Sequence, residues 1–117
     1  MARILLAEDE VLVRELVLED LTDAGHEVVA ARNGDAALAT LQDDRAFDLL
    51  FTDIRMPGRI DGWELAAEAR RLVPGLKVVY ATGLDESSSA LAPEERLIQK
   101  PYRLDALLAL LAELQVL

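Results

Sequence analysis

The residues of this sequence best suited to chemistry are the acidic pair Glu8-Asp9, the carboxylate of Asp53, the hydroxyl of Thr82 and the ammonium of Lys100. They are widely spaced, yet each stands at the end of a short, largely apolar run. Brought together, Glu8, Asp9 and Asp53 would set three carboxylates at close range. Like charges so placed repel and raise at least one pKa, and a hard divalent cation relieves the repulsion. Mg²⁺ suits such a place: it prefers oxygen ligands, keeps several waters, and binds one or two carboxylates together with a phosphate oxygen. A carboxylate there can also act as a nucleophile and form an aspartyl phosphate. The metal would neutralise charge developing on the phosphoryl oxygens, leaving Thr82 and Lys100 to serve the remaining ones.

Those residues converge only if the chain builds the right frame. Five apolar runs read as strands: Arg3 to Ala7, Glu27 to Ala31, Asp48 to Thr52, Leu76 to Ala81 and Leu97 to Gln99. Helices are predicted between them. Glu10 to Ala24 carries Val11, Leu12, Leu16, Leu18 and Leu21 among charges and stops at Gly25. Asn33-Gly34 reads as a turn, and Asp35 can cap a helix running to about Asp43. Trp63 to Val73 is closed by Pro74-Gly75, and Tyr102 to about Gln115 is rich in leucine. Strands alternating with helices imply a parallel sheet covered on both faces, and near-continuous apolar strands are what such a sheet requires. In open parallel sheets, ligands bind beyond the carboxyl ends of the strands. Four of the five strands deliver a polar group to that edge; the second ends in Ala31-Arg32 and delivers nothing comparable.

Taken singly, each piece has a plainer explanation. An acidic pair after a strand can be a helix cap, an aspartate a turn residue, a threonine a β-former, and Lys-Pro a turn whose proline opens a helix. The joint order on the correct strands is what carries the chemical reading.

Composition bounds the alternatives. With 117 residues, 52% of them apolar, the chain has the size of one domain and enough apolar mass for one core. It has no cysteine, which excludes disulfides, thiol nucleophiles and zinc-thiolate sites. A net charge of −10, from 22 acids and 12 bases, gives no basic footprint for nucleic acid. The apolar run after Met1-Ala2-Arg3 is too short for a signal peptide, and no run approaches membrane-spanning length, so a cytoplasmic location is expected. The chain ends on its last predicted helix, with no sign of an effector domain.

The chain resembles the receiver domains of two-component response regulators over its whole length, 1–117. The matching stretches are Ile4-Leu5-Leu6-Ala7-Glu8-Asp9-Glu10, Asp53-Ile54-Arg55-Met56-Pro57, Asp61-Gly62, Ala81-Thr82-Gly83 and Lys100-Pro101. The resemblance implies a doubly wound α/β fold, a five-stranded parallel sheet in flavodoxin-like order 2-1-3-4-5. It implies a phospho-acceptor at Asp53, with Asp9 as a direct Mg²⁺ ligand and Glu8 holding the metal directly or through water. The backbone carbonyl of Arg55 would complete the coordination, Lys100 would contact the phosphoryl group, and Thr82 would hydrogen-bond it. The implied phosphoryl donor is a histidine kinase. The output would run through an unidentified protein partner, with the chain a monomer or weak dimer that does not touch nucleic acid or membrane.

Four departures stand out. The pair is Glu8-Asp9 rather than the commoner Asp-Asp, and the loop after Asp53 is one residue longer, at Gly58-Arg59-Ile60. Where the family's switch aromatic stands on strand five, this chain has Leu97 and Ile98. Tyr80 and Tyr102 are close by in sequence, and both are expected half-buried with hydroxyls in water. Tyr80-Ala81-Thr82-Gly83-Leu84 resembles a stand-alone subgroup with Phe-Ala-Thr-Gly followed by an apolar residue, although Asp85 stands where that pattern has tyrosine. Last, the segment from Thr82 to Lys100 leaves room for a shortened fourth helix, at most Glu86 to Leu91.

His26 reads as a surface-turn residue far from the acidic edge, and Trp63 as a packing residue of its helix. Leu110 and Leu114 could form a partner face, although covering the sheet is the plainer use. Two other functions compete with a switch. A phosphohydrolase of the haloacid-dehalogenase type needs a second acid two residues after its nucleophile, where this chain has Arg55. An interaction module that has lost phosphorylation fits the missing aromatic but not the retained Asp53 and Lys100. Helices of two turns are marginal without strong packing. Backbone amides from Glu86 to Leu91 should therefore exchange faster than those of the central strands in the unmodified protein; equally slow exchange would contradict this.

Overall fold

The computed structural model describes residues 1–83 and 91–116. Five parallel strands, β1 (Arg3–Ala7), β2 (Glu27–Ala31), β3 (Leu49–Asp53), β4 (Lys77–Thr82) and β5 (Glu95–Gln99), form one sheet in the order β2-β1-β3-β4-β5. The described helices are α1 (Val11–Asp23), α2 (Gly34–Asp43), α3 (Gly62–Leu72) and α4 (Leu104–Glu113). β3 is the central strand, flanked by β1 and β4, and it pairs with β1 in register from Ile4 opposite Leu49 to Ala7 opposite Thr52. Every residue of β3 is buried, as a central strand covered on both faces must be.

Alternate strand residues feed two cores. On one face Ile4, Leu6, Phe51, Val79 and Ile98 pack under Val17 and Leu21 of α1 and Leu107 and Leu111 of α4. On the other, Leu5, Leu50, Val78 and Tyr80 pack under Ala37 and Leu41 of α2 and Leu65, Ala66 and Ala69 of α3.

The structure revises several expectations. Of the apolar residues expected on α1, Val11, Leu12 and Leu16 are exposed by 58%, 79% and 62%, whereas Leu21 is buried, together with Val17. With apolar residues this dense around the helix, sequence alone did not single out the stripe that meets the sheet. Leu114 is buried and Leu110 packs against the same core, so both cover the sheet. Asn33, not Asp35, caps α2, its Oδ1 accepting from the Ala36 N–H at 2.8 Å. α4 starts two residues later than expected because Arg103 is extended at its N-cap; Lys100-Pro101 is a cis peptide. The Tyr80 side chain is buried and its hydroxyl donates to Glu95 rather than to water. The proposed helix from Glu86 to Leu91 lies outside the described residues, save for Leu91, which is not helical.

α3 is aimed by a capping box: Asp61 accepts from the Glu64 N–H, and the Glu64 side chain accepts from the Asp61 N–H. This satisfies donors that a helix start leaves open. Gly62 then passes so close to β3 that a Cβ there would lie 2.1 Å from the Asp53 carbonyl oxygen. No side chain fits, which explains glycine after Asp61. Gly62→Ala should lose about 1–3 kcal/mol of stability in urea unfolding, the range for forcing extra volume into a packed site; wild-type stability would show the contact to be soft.

Candidate functional site

β1, β3, β4 and β5 run parallel, so their carboxyl ends meet on one edge of the sheet. Asp53 closes β3 and Thr82 closes β4, one residue beyond the Ala81 that pairs with Asp53. Glu8 and Asp9 follow β1, and the Glu8 N–H donates to the Ala31 carbonyl of β2 at 3.1 Å. Lys100 follows β5, its N–H bonded to the Thr82 carbonyl at 2.7 Å. Backbone pairing therefore fixes Glu8, Asp53, Thr82 and Lys100 independently of their side-chain contacts.

The side chains converge. The Lys100 ammonium lies 2.6 Å from Asp53 Oδ1 and 3.2 Å from Glu8 Oε1. Carboxylate oxygens of Glu8, Asp9 and Asp53 all lie within 4.8 Å of one another. Glu8 and Asp53 are only 3% and 5% exposed, and Asp9 is more open. The other Glu8 oxygen, Oε2, accepts from the Glu10 N–H at 3.0 Å, and the Glu8 carbonyl accepts from the Arg14 guanidinium at 3.0 Å. Phe51 and Tyr102 wall the site beneath the carboxylates, their rings meeting edge-on with centroids 5.6 Å apart. Arg55 lies two residues past Asp53 on an exposed loop.

Electrostatics follow from burial. Burial first, then the hydrogen bond shared with Glu8, push the Asp53 carboxyl up to about 8, and Lys100 offsets this only in part. Burial also pushes Glu8 up. The hydrogen bond to Asp53, the Glu10 N–H and Lys100 together outweigh it and hold Glu8 below the usual carboxylate range. The pair thus keeps one proton near neutrality, so one negative charge faces one ammonium. Burial pulls Lys100 down, but its bond to Asp53 and the nearby carboxylates win, holding it above its ordinary value. Burial, followed by the charges of Glu8, Asp53 and Asp20, raises the Tyr102 hydroxyl and keeps it protonated.

Sequence reasoning identified all four side chains of this cluster. It missed Tyr102 as part of the wall and the close approach of Gly62 to the backbone of Asp53. The second was signalled by glycine following the helix cap. Leu97 of β5 lies opposite Tyr80 of β4, whose ring packs on Trp63 at 4.3 Å; the aromatic contact on this face joins β4 to α3 instead of standing on β5. His26 sits at the start of β2, away from the carboxyl edge, where its Nδ1 accepts from the Ala2 N–H at 3.1 Å.

A family model described as the response regulator receiver domain matches residues 4–112. The response regulator receiver protein CpdR of Brucella abortus is 39% identical over 110 residues, covering 89% of this chain and 88% of that protein. The response regulator protein FleR of Pseudomonas aeruginosa is 35% identical over 95% of this chain, which spans only 24% of FleR. Among solved structures, the response regulator TrrA of Thermotoga maritima, in complex with Mg²⁺-BeF, superposes with a TM-score of 0.85 at 34% identity, covering 97% of this chain and 99% of that one. The chain belongs to the response regulator receiver domain family. It is a signalling switch of phosphorylation-dependent two-component systems. No helix among the described residues is long and apolar enough to cross a membrane.

The raised Asp53 carboxyl has a consequence for folding. Between its ordinary value of 3.8 and about 8, the unfolded chain has released this proton while the folded chain keeps it. Stability then falls as pH rises, because the folded state binds more protons. In EDTA, urea unfolding should show this loss between pH 5 and pH 8 in wild type, and Asp53→Asn should remove it. The same slope in both proteins would contradict the shared proton.

Proposed function

We propose that Asp53 is the phospho-acceptor of a single receiver domain spanning residues 1–117, and that the reaction depends on Mg²⁺. The observation that carries this reading is the Lys100 ammonium at 2.6 Å from a buried Asp53 oxygen, with Glu8 and Asp9 beside it. The donors fit the metal. All are oxygens, the ligand type Mg²⁺ prefers, and the carboxylate pair carries a proton that a cation can displace. Glu8, Asp9, Asp53 and the Arg55 carbonyl would hold the ion. When bound, Mg²⁺ supplies positive charge opposite the phosphoryl oxygens.

The remaining work belongs to the chain. Asp53, deprotonated, directs a carboxylate oxygen at the phosphorus of a phosphohistidine on a histidine kinase. The new O–P bond forms as the P–N bond breaks and its electron pair stays on that ring nitrogen; with a proton on the other ring nitrogen, the imidazole leaves neutral. Lys100 is already seated against Asp53 and follows the charge to the phosphoryl oxygens, where fixed positive charge is most effective in a water-poor site. Thr82, at the adjacent strand end, donates its hydroxyl to the product. The domain assists its own phosphorylation and dephosphorylation and does not turn over free substrates. It acts in the cytoplasm, as a monomer or weak dimer, through contacts with a protein partner rather than with nucleic acid. A phosphohydrolase reading has no support here, since Arg55 occupies the position of the second acid.

Incubated with acetyl phosphate and Mg²⁺, the wild type should gain one phosphoryl group by intact mass, and Asp53→Asn should gain none. Lys100→Ala should slow the reaction on the order of a hundredfold, as loss of one charge-stabilising donor does. Undiminished labelling of Asp53→Asn would refute the assignment.

A further inference from the structure

The loop from Ile54 to Asp61 is fastened by hydrogen bonds at its neck and at its tip, and Met56 packs on the core between them. Its neck closes where the Gly62 N–H donates to the Ile54 carbonyl at 2.8 Å. Its tip is exposed at Pro57, Gly58 and Arg59, but it is tied to the start of α2. The Arg59 N–H donates to Asp35 Oδ2 at 2.9 Å. Gly58 has φ +120°, and a Cβ there would lie 2.9 Å from that same oxygen. Ile60 packs on Gly34, where a Cβ would meet Ile60 Cγ1 at 2.8 Å and the Ile60 carbonyl oxygen at 3.0 Å. Asp35 is available for this because Asn33 caps the helix. The extra length of the loop is thus received by Gly34 and Asp35.

We propose that Asp35 is a positioning residue for phosphoryl transfer: by holding the tip of this loop, it keeps the Arg55 carbonyl where it completes the Mg²⁺ site. The inference rests on the metal ligands proposed above. Arg55 lies between the neck at Ile54 and the anchor at Arg59, and its own side chain is exposed. Without the Asp35 bond the segment keeps its neck and the apolar packing of Met56 and Ile60 but loses the polar anchor of its tip, and it samples arrangements in which the carbonyl is turned away. Apparent affinity then falls by the fraction of molecules that remain competent. Groups that orient metal ligands are known to matter at this level; an effect transmitted through backbone should lie at the lower end.

The test is a Mg²⁺ titration of the full chain followed by ¹H–¹⁵N NMR, with thermal unfolding in EDTA alongside. Asp35→Ala should raise the apparent Kd about three- to tenfold. Asp35→Asn keeps an acceptor oxygen and should return the Kd to within about twofold of wild type. Gly58→Ala, which crowds the same oxygen, should behave like Asp35→Ala and provides the test if that variant does not fold. The Asn variant also separates positioning from helix stability, because it lacks the charge that favours a helix start. A wild type with no Mg²⁺-dependent shifts overturns the metal site and this inference with it. A wild type that binds, with Asp35→Ala binding equally well, overturns this inference alone, as does equal weakening in Asp35→Ala and Asp35→Asn.

Discussion

Two buried carboxylates, Glu8 and Asp53, share one ammonium from Lys100. Burying charge is expensive unless it is paired and hydrogen-bonded, and here two carboxylates face a single ammonium. This is a poor arrangement for stability and a good one for function. Removing a partner from a buried pair leaves an uncompensated charge and is strongly destabilising. An incoming divalent cation or phosphoryl group, as proposed for this site, would instead meet donors and acceptors that are already in place. Much of the fold serves to hold this cluster.

That holding is done by backbone. β1 and β3 lie side by side in the middle of the sheet, so the residues after Ala7 and Thr52 emerge together. β5 brings Lys100 to the same edge by pairing with β4. The capping box at Asp61 and the missing side chain of Gly62 let α3 start against the Asp53 carbonyl, an oxygen that also accepts from the Thr52 hydroxyl at 2.8 Å. Apolar packing on both faces makes these positions rigid, and rigid elements are what a preorganised site requires.

The strands and the acidic edge were legible in the sequence because both depend on local pattern: apolar runs of the right length, four of them ending in polar residues suited to one site. Strand ends moved by a residue, so that Asp53 and Thr82 close β3 and β4 rather than follow them. The harder features depend on contacts between distant segments. Asp35 looks like a helix cap until Asn33 is seen to cap and Arg59 is seen to arrive from 24 residues away. Tyr80 looks like a half-wet aromatic until Glu95 is seen across the strand pair, itself beside Arg70 of α3 at 3.7 Å. The exposed Val11, Leu12 and Leu16 show the same limit: periodicity gave a helix but not which of its stripes meets the sheet.

Burial and Glu8 hold Asp53 out of its ordinary ionisation, and a bound divalent cation would release it. The most direct measurement is a carboxyl ¹³C NMR titration of Asp53, with and without saturating Mg²⁺. In metal-free protein Asp53 should titrate near neutrality, up towards about 8, and move well into the acid range when Mg²⁺ is added. An Asp53 that titrates as an ordinary carboxylate, unchanged by Mg²⁺, would contradict this.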